Sequence, residues 1–186
     1  MTGNYDGGRD LCDQRRWLYR LQHAMPGKEI TLRPIEQSDL DFMFDLVNNN
    51  EVTIYIGGLI RDKNMLRTWI DQLAEANQEY IVALDGTPIG ECSLIVNEKN
   101  GEIGYMILPE YWNHGYGTDT ITQLLILAKN QGLQKVTAAT DPDNTASVRI
   151  LEKTGFQKEA IGWWMTEEEM ESMKMGRTIV TYRREL

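Results

Sequence analysis

The sequence predicts one α/β domain of the α+β type, with a mixed, mostly antiparallel central sheet of about seven strands flanked by about four helices. Its 186 residues suit one domain with a sizeable core. A content of 41% hydrophobic and 25% charged residues is ordinary for a globular chain. The hydrophobic periodicity changes repeatedly between that of a strand and that of a helix. The predicted order is β-α-α-β-β-β-α-β-α-β-β.

An N-terminal arm, residues 1–28, precedes the predicted domain at residues 29–186. Apolar side chains recur at helical spacing over residues 10–23, and Pro26 then breaks the pattern. The arm is therefore expected to be partly helical. Such a segment can pack on the domain or on a second subunit, so a homodimer is one open expectation.

The first half of the domain predicts a strand, two helices and a meander. Ser38 is a good N-cap for the first helix, which follows the strand at 30–35 and is expected to end near Val47. The second helix is expected over 63–78, with apolar residues on one face. Glycine-containing turns then separate three strands, over 79–84, 88–96 and 102–108.

The second half alternates helices and strands. Gly132 and Gly155 are typical residues just past a helix end. The predicted helices span 118–131 and 144–154, with a short one from Thr166, in a capping box, to Met175. The predicted strands span 135–140, 156–165 and 177–183.

The charge distribution disfavours a nucleic-acid surface. The net charge is −9; residues 1–28 carry five basic and three acidic side chains, or +2, and residues 29–186 carry fourteen and twenty-five, or −11. Phosphate contacts by basic side chains supply most non-specific affinity for nucleic acid. An acidic body suits a cationic partner such as an amine, although the charge can also serve solubility alone.

The remaining composition predicts a cytoplasmic protein with no resident metal. No apolar stretch approaches the roughly 20 residues of a membrane span, and the N terminus does not resemble a signal peptide. Cys12 and Cys92 lie far apart, which favours two free thiols over a disulfide. With His23 and His114 as the two histidines, a His-rich metal site is excluded; a carboxylate site stays open, although no motif supports one.

A glycine-spaced segment, residues 112–119, lies between a predicted strand and a predicted helix. Gly115 and Gly117 permit positive φ and leave room for a ligand to approach the backbone. Successive N–H groups at a helix start can bind an anion such as a diphosphate. The spacing matches neither the P-loop nor the Rossmann pattern, which need further glycines.

Together with the downstream segment, these motifs resemble the GNAT superfamily of acetyl-CoA-dependent N-acetyltransferases. They are most similar to its RimJ/RimL-like branch, which acetylates protein N-termini. The motifs that carry the resemblance occur in the family's order: Leu32-Arg33-Pro34, Ser38-Asp39-Leu40, Gly104-Tyr105, Trp112-x-x-Gly115-Tyr116-Gly117, Asn144-x-x-Ser147 and Leu151-Glu152-Lys153-x-Gly155-Phe156.

The resemblance implies an acetyl-CoA site. The pantetheine arm would pair with the backbone of Met106, Ile107 and Leu108, so the strand that begins at Lys135 should splay away from that edge. The pyrophosphate would bind the main-chain N–H groups of the glycine-spaced segment, which are those of His114, Gly115, Tyr116, Gly117 and Thr118. Asn144 would hydrogen-bond the pantetheine arm; alternatively, it merely caps its helix.

The resemblance also implies direct attack of a primary amine on the thioester. Many family members use a tyrosine as the acid where this chain has Leu151, which cannot donate a proton. RimL-like members suggest Ser147 instead, which can also be a first-turn helix residue without a catalytic role. Two residues remain candidates for the general base: Glu102, and Glu91 on the neighbouring strand. Exposed strand carboxylates often have no such role.

Aromatic residues are the candidates for the substrate wall. Tyr55 lies in the loop where similar proteins place that wall, and Tyr105, Trp163 and Trp164 can add aromatic surface. Neighbouring residues on a strand point oppositely, so one of the two tryptophans is expected in the core.

The leading acceptor is a protein N-terminal α-amine. The alternatives are an aminoglycoside or a polyamine, which the acidic body would attract, and a non-catalytic acyl-CoA-binding sensor, which the missing tyrosine favours.

Overall fold

One seven-stranded sheet organises the chain in a computed structural model that describes residues 29–56, 62–163 and 178–186. Its strands are β1 (Ile30–Pro34), β2 (Glu79–Leu84), β3 (Thr87–Asn97), β4 (Asn100–Ile107), β5 (Lys135–Thr140), β6 (Gln157–Trp163) and β7 (Thr178–Glu185). Their order across the sheet is β1-β2-β3-β4-β5-β7-β6. All neighbours pair antiparallel except β4 and β5, which are parallel. The predicted mixed, mostly antiparallel sheet is confirmed.

Five helices accompany the strands within the described residues. They are α1 (Leu40–Val47), α2 (Asn50–Thr53), α3 (Lys63–Ala76), α4 (Tyr116–Asn130) and α5 (Thr145–Lys153). The single-turn α2 is absent from the sequence prediction. The arm at residues 1–28, the helix expected from Thr166 and Trp164 lie outside the described residues.

The entry to α1 differs from the prediction that Ser38 caps it. A 3-10 turn at Gln37–Asp39 precedes the helix, and Glu36 and Asp39 cap each other's backbone in a capping box. Asp39 is 4% exposed and accepts two hydrogen bonds from the Arg33 guanidinium, at 2.8 and 2.5 Å. Arg33 and Asp39, which belong to two of the sequence motifs, thus form a structural ion pair. The Ser38 hydroxyl donates only a long hydrogen bond to Glu36, at 3.4 Å.

The sheet has two covered faces. The first, here called the α4 face, packs against α4 and α5 and buries residues such as Cys92, Ile103 and Leu151. The second, the α1 face, packs against α1 and α3 through residues such as Met43 and Ile81. Because strand side chains alternate, consecutive residues of β4 contact different halves of the core.

The pairing between β4 and β5 stops early. Three pairs of residues align: Asn100 with Lys135, Gly101 with Val136 and Glu102 with Thr137. The rest of β5 continues to pair with β7 on its other side, out to Thr140. The edge of β4 from Ile103 onward is therefore open toward β5, which confirms the predicted splay.

Candidate active site

The glycine-spaced segment forms the N terminus of α4. The 15-residue helix begins at Tyr116, two residues before the predicted start, and Gly115 is its N-cap at φ 93°. The N–H groups of a helix's first turn have no intrahelical partner. Those of Tyr116, Gly117 and Thr118 therefore point out of the helix end, where the backbone dipole favours an anion.

The two glycines of this segment serve different purposes. Gly115 has the positive φ that favours glycine, and an added Cβ there would meet nothing within 4 Å. The described residues with positive φ do not include Gly117. A Cβ at Gly117 would lie 2.9 Å from Ile150 Cδ1 and 3.3 Å from Tyr105 Cε2. Gly117 thus does not use the positive φ that glycine permits, and its missing side chain lets α4 approach β4 and α5 closely.

His114 precedes the helix start and covers its first residue. Its ring stacks on that of Tyr116, with centroids 5.8 Å apart, and its Nδ1 lies 2.7 Å from the Trp112 carbonyl oxygen. Tyr116 itself is buried in the core. These contacts fix the backbone at the entrance to α4.

The backbone of β4 offers alternate residues to its open edge. The Leu108 N–H donates to the Ile89 carbonyl across to β3, at 2.9 Å. In an antiparallel pair the hydrogen-bonding side alternates along the strand, so Met106 also bonds toward β3 while Tyr105 and Ile107 bond toward the open edge. Of the three residues expected to pair with pantetheine, Ile107 has this orientation, whereas Met106 and Leu108 bond toward β3. Tyr105, which the sequence analysis did not assign to this edge, has the same orientation as Ile107.

Trp112 occupies one of these edge groups. Its indole Nε1–H donates to the Ile107 carbonyl oxygen at 2.7 Å, while the indole remains 40% exposed. The Ile107 N–H and the Tyr105 peptide groups are therefore what the edge presents to a ligand. Trp112 also ties the end of β4 to the segment that leads into α4.

Asn144 and Ser147 form the start of α5. Asn144 is the N-cap, and its Oδ1 accepts the Ser147 N–H at 3.1 Å. This matches the alternative interpretation of Asn144 as a helix cap. The Nδ2 group of the same side chain can still donate to a ligand.

Tyr105 and Ser147 come together on the α4 face of the sheet. The Ser147 hydroxyl lies close enough to the Tyr105 phenol to influence its pKa. Burial raises the pKa of the Tyr105 phenol, and the Ser147 hydroxyl opposes that rise only in part. Tyr105 had been predicted on the substrate wall; it lies instead beside α4 and α5, within reach of Gly117.

Leu151, the residue at the family's tyrosine position, is 1% exposed and packs in the core of the α4 face. Its side chain has no proton to donate. Any acid at this end of α5 must therefore come from another residue.

The remaining candidates are spread over the other side of the molecule. Glu102 is exposed on β4, opposite Ile95 of β3. Tyr55 is half-buried just after α2. Trp163 lies in β6, the edge strand, where its backbone pairs with Thr178. The fold thus brings Ser147, Tyr105 and the α4 N terminus together and leaves Trp163 three strands away from β4.

Two buried carboxyl groups face the α1 side of the sheet. Glu79 of β2 and Glu91 of β3 are 9% and 8% exposed, and the strand register makes them diagonal neighbours. Burial raises the pKa of both, most strongly for Glu91. The sequence had named Glu91 as a possible base but did not predict its pairing with Glu79.

The described residues contain no group of three or more His, Cys, Asp and Glu side chains placed to hold a metal ion. None of the described helices combines the length and the apolar character that crossing a bilayer requires. The buried thiol of Cys92 is free, and burial raises its pKa.

Comparison with known proteins assigns the class that this geometry suggests. The acetyltransferase (GNAT) domain family matches residues 29–157. The chain is 31% identical over 151 residues to the uncharacterized N-acetyltransferase YoaA of Bacillus subtilis, covering 71% of this chain and 81% of YoaA. It is an N-acetyltransferase with acetyl-CoA as co-substrate, and it belongs to the GNAT family.

Solved structures share the fold at low identity. The spermidine N-acetyltransferase of Vibrio cholerae, in complex with CoA and spermine, superposes with a TM-score of 0.72 at 21% identity, over 84% of this chain and 95% of that one. A Salmonella typhimurium acetyltransferase that modifies the N-terminal serine of ribosomal protein L7/L12 gives 0.71 at 15% identity, over 87% and 96%. At these identities the likeness concerns the fold.

Proposed function

We propose that this enzyme transfers the acetyl group to the α-amine at a protein N terminus, as the RimJ/RimL-like branch does. The observation that carries the proposal is the placement of Ser147 close to Tyr105, beside the open edge of β4. Ser147 stands at the position where RimL-like sequences suggest the acid. Leu151 rules out the tyrosine acid of many other members.

Acetyl-CoA supplies an activated acetyl group as a thioester. The N–H groups of Tyr116, Gly117 and Thr118 would hold its pyrophosphate, since they converge at the positive end of α4. Tyr105 and Ile107 would pair with the pantetheine amides along the open edge, as an added strand would. The β4 backbone at Tyr105 and Ile107 is not paired with β5, which leaves this edge available to the pantetheine arm.

Two proton tasks remain for side chains. Ser147 would donate toward the departing sulfur, and Tyr105 would hold the serine hydroxyl in place. The Ile107 N–H at the open edge would polarise the thioester carbonyl. An α-amine has a reference pKa of about 8, against about 10.4 for lysine, so it needs less help to lose its proton. Exposed Glu102 remains a candidate for that step through water.

A polyamine is the second candidate acceptor. The charge of −11 on residues 29–186 favours approach of a polycation. The fold similarity to the spermidine enzyme agrees with this possibility.

Thiol release from acetyl-CoA distinguishes the acceptors. Lysine-free peptides that begin with serine or alanine should release thiol, and the same peptides with a blocked N terminus should not. Spermidine and an aminoglycoside are tested in parallel at equal concentration. Turnover confined to the polyamines or the aminoglycoside contradicts the α-amine proposal, and CoA binding without turnover on any amine contradicts the assignment of Ser147 to catalysis.

A further inference from the structure

The α1 face of the sheet holds a carboxyl pair that the acetyl-CoA site does not use. Glu79 stands opposite Ser93, and Glu91 stands opposite Ile81, so the two carboxyls are diagonal neighbours on adjacent antiparallel strands. Burial raises the pKa of both carboxyls, and Glu79 raises that of Glu91 further, so the pair favours sharing one proton. With one proton shared, the pair carries one negative charge in a nearly dry environment.

One oxygen of this pair lacks a partner. Glu79 Oε2 is fully buried and makes no hydrogen bond, while the residue as a whole is 9% exposed. An unsatisfied buried polar atom is costly, and a buried charge more so. A cationic hydrogen-bond donor would satisfy the atom and the charge together.

The pair adjoins the open edge of β4. Glu91 is the direct partner of Met106, which lies between Tyr105 and Ile107. Ser93, opposite Glu79, is in turn opposite Gly104. Among the described residues, the Ser93 Oγ is the one atom within 4 Å of a Cβ added at Gly104, so this glycine leaves space on the α1 face between the edge and the pair.

We propose that Glu79 and Glu91 bind the ammonium group of the acceptor amine and take its proton, which makes them the acceptor site of the proposed transferase. The inference rests on the proposed function only in requiring a primary amine as acceptor. A monocation neutralises the single charge of the pair, and attraction is stronger there than at an exposed carboxylate because little water screens it.

Transfer of a proton to the carboxyl pair precedes formation of the amide bond. One ammonium proton passes to the pair, which becomes doubly protonated and neutral. The amine lone pair then forms the C–N bond as the C–S bond breaks. A second amine proton replaces the one that Ser147 gives to the departing sulfur, and the pair later releases its extra proton to solvent.

Other titratable groups near the pair are few within the described residues. Arg33 lies on the same face in β1 and is held by Asp39, and Glu102 lies on the same face in β4. Tyr80 and Cys92, which neighbour Glu79 and Glu91 in the sequence, lie on the α4 face. Burial is the main cause of their raised pKa values, and the charge of Glu79 contributes to both. The buried side chains of α1 and α3 on this face are apolar: Leu40, Met43, Leu46, Val47, Leu66 and Ile70.

The test uses Glu79→Gln and Glu91→Gln in the full chain, with exposed Glu75→Gln as the matched control. Each pair variant should lower kcat/KM for the amine about 100-fold, the usual contribution of a general base. The KM for acetyl-CoA should stay unchanged. The pH at which kcat/KM for the amine rises should differ from that of wild type. The control should match wild type. The amine is whichever one wild type acetylates, so a failed α-amine proposal does not decide this one.

If the pair is the acceptor site, activity should fall while stability holds or increases, because glutamine keeps the shape and removes the buried charge. A merely structural pair would instead leave the amine kinetics as they are in wild type. Amine kinetics within twofold of wild type, with the same pH profile, would overturn the proposal.

Carboxyl NMR shifts provide a readout that needs no turnover. In protein with 13C-labelled glutamate, n-butylammonium should move the resonances that Glu79→Gln and Glu91→Gln remove, and neutral n-butanol should not. Equal responses to both probes, or none, would also overturn the proposal.

Discussion

The two ends of α4 provide a matched pair of glycines that separates backbone strain from ligand binding. Gly115 at the N terminus has φ +93° and Gly132 past the C terminus has φ +75°, and an added Cβ meets nothing within 4 Å at either. Substituting alanine at either position therefore introduces the same kind of strain without a steric clash. Only Gly115 adjoins the N–H groups assigned to the pyrophosphate.

The expected loss of stability is similar for both variants. A left-handed conformation costs a residue with a Cβ about 1–2 kcal/mol. Alanine also restricts the unfolded chain, which returns about 0.4–1 kcal/mol. The net loss of about 1 kcal/mol should lower the Tm by about 2–4 °C for a chain of this size. Thermal unfolding followed by circular dichroism measures it.

The expected loss of CoA affinity differs between them. An anion at a helix N terminus gains up to about 1 kcal/mol at an exposed site, so Gly115→Ala should weaken CoA binding about fivefold in calorimetry. Gly132→Ala should bind as wild type does. Gly115→Asn should restore part of the loss, because asparagine tolerates the left-handed region. Equal affinity losses at both ends, or a normal affinity in a destabilised Gly115→Ala, would show that the N terminus of α4 does not bind the pyrophosphate.

Three further predictions address the catalytic side and the core. Ser147→Ala should lower kcat more than it raises the KM for acetyl-CoA in steady-state kinetics; normal turnover would show that the serine is not the acid. Gly117→Ala should cost about 1–3 kcal/mol in denaturant unfolding because its Cβ meets Ile150 and Tyr105, and an unchanged midpoint would contradict that packing. Burial raises the folded pKa of Glu79 and Glu91 above the ordinary 4.5, so their stabilising contribution is complete below that value and is lost as the pH rises through the folded pKa. Above pH 4.5, unfolding should therefore depend less on pH in Glu91→Gln than in wild type, and parallel curves would argue against the raised pKa.

The order of strands and helices was predictable because each element carries its own hydrophobic period. The splay between β4 and β5 was also predictable, through the family resemblance carried by the motifs around Gly115 and Asn144. The start of α4 was not predictable, because either of two glycines could have had the backbone conformation of the helix N-cap, which Gly115 has. The cap at Asp39 likewise depends on an ion pair with a residue in another element.

The orientation of β4 required knowledge of the strand register. Alternation along the sequence separates Tyr105 from Met106, but which of them bonds toward β3 follows from the pairing with Ile89. The same register brings Glu79 beside Glu91, twelve positions away in the chain. The sequence offers one indication of such a buried carboxyl, which is an acidic residue in an otherwise apolar strand, as in residues 79–84.

A crystal structure with CoA bound will show whether acetyl-CoA lies between the splayed strands. We expect pyrophosphate density against the N–H groups of Tyr116, Gly117 and Thr118, with the pantetheine amides paired to Tyr105 and Ile107. CoA bound at another surface, or a gap between β4 and β5 that stays closed to it at saturating concentration, would show that acetyl-CoA does not bind there.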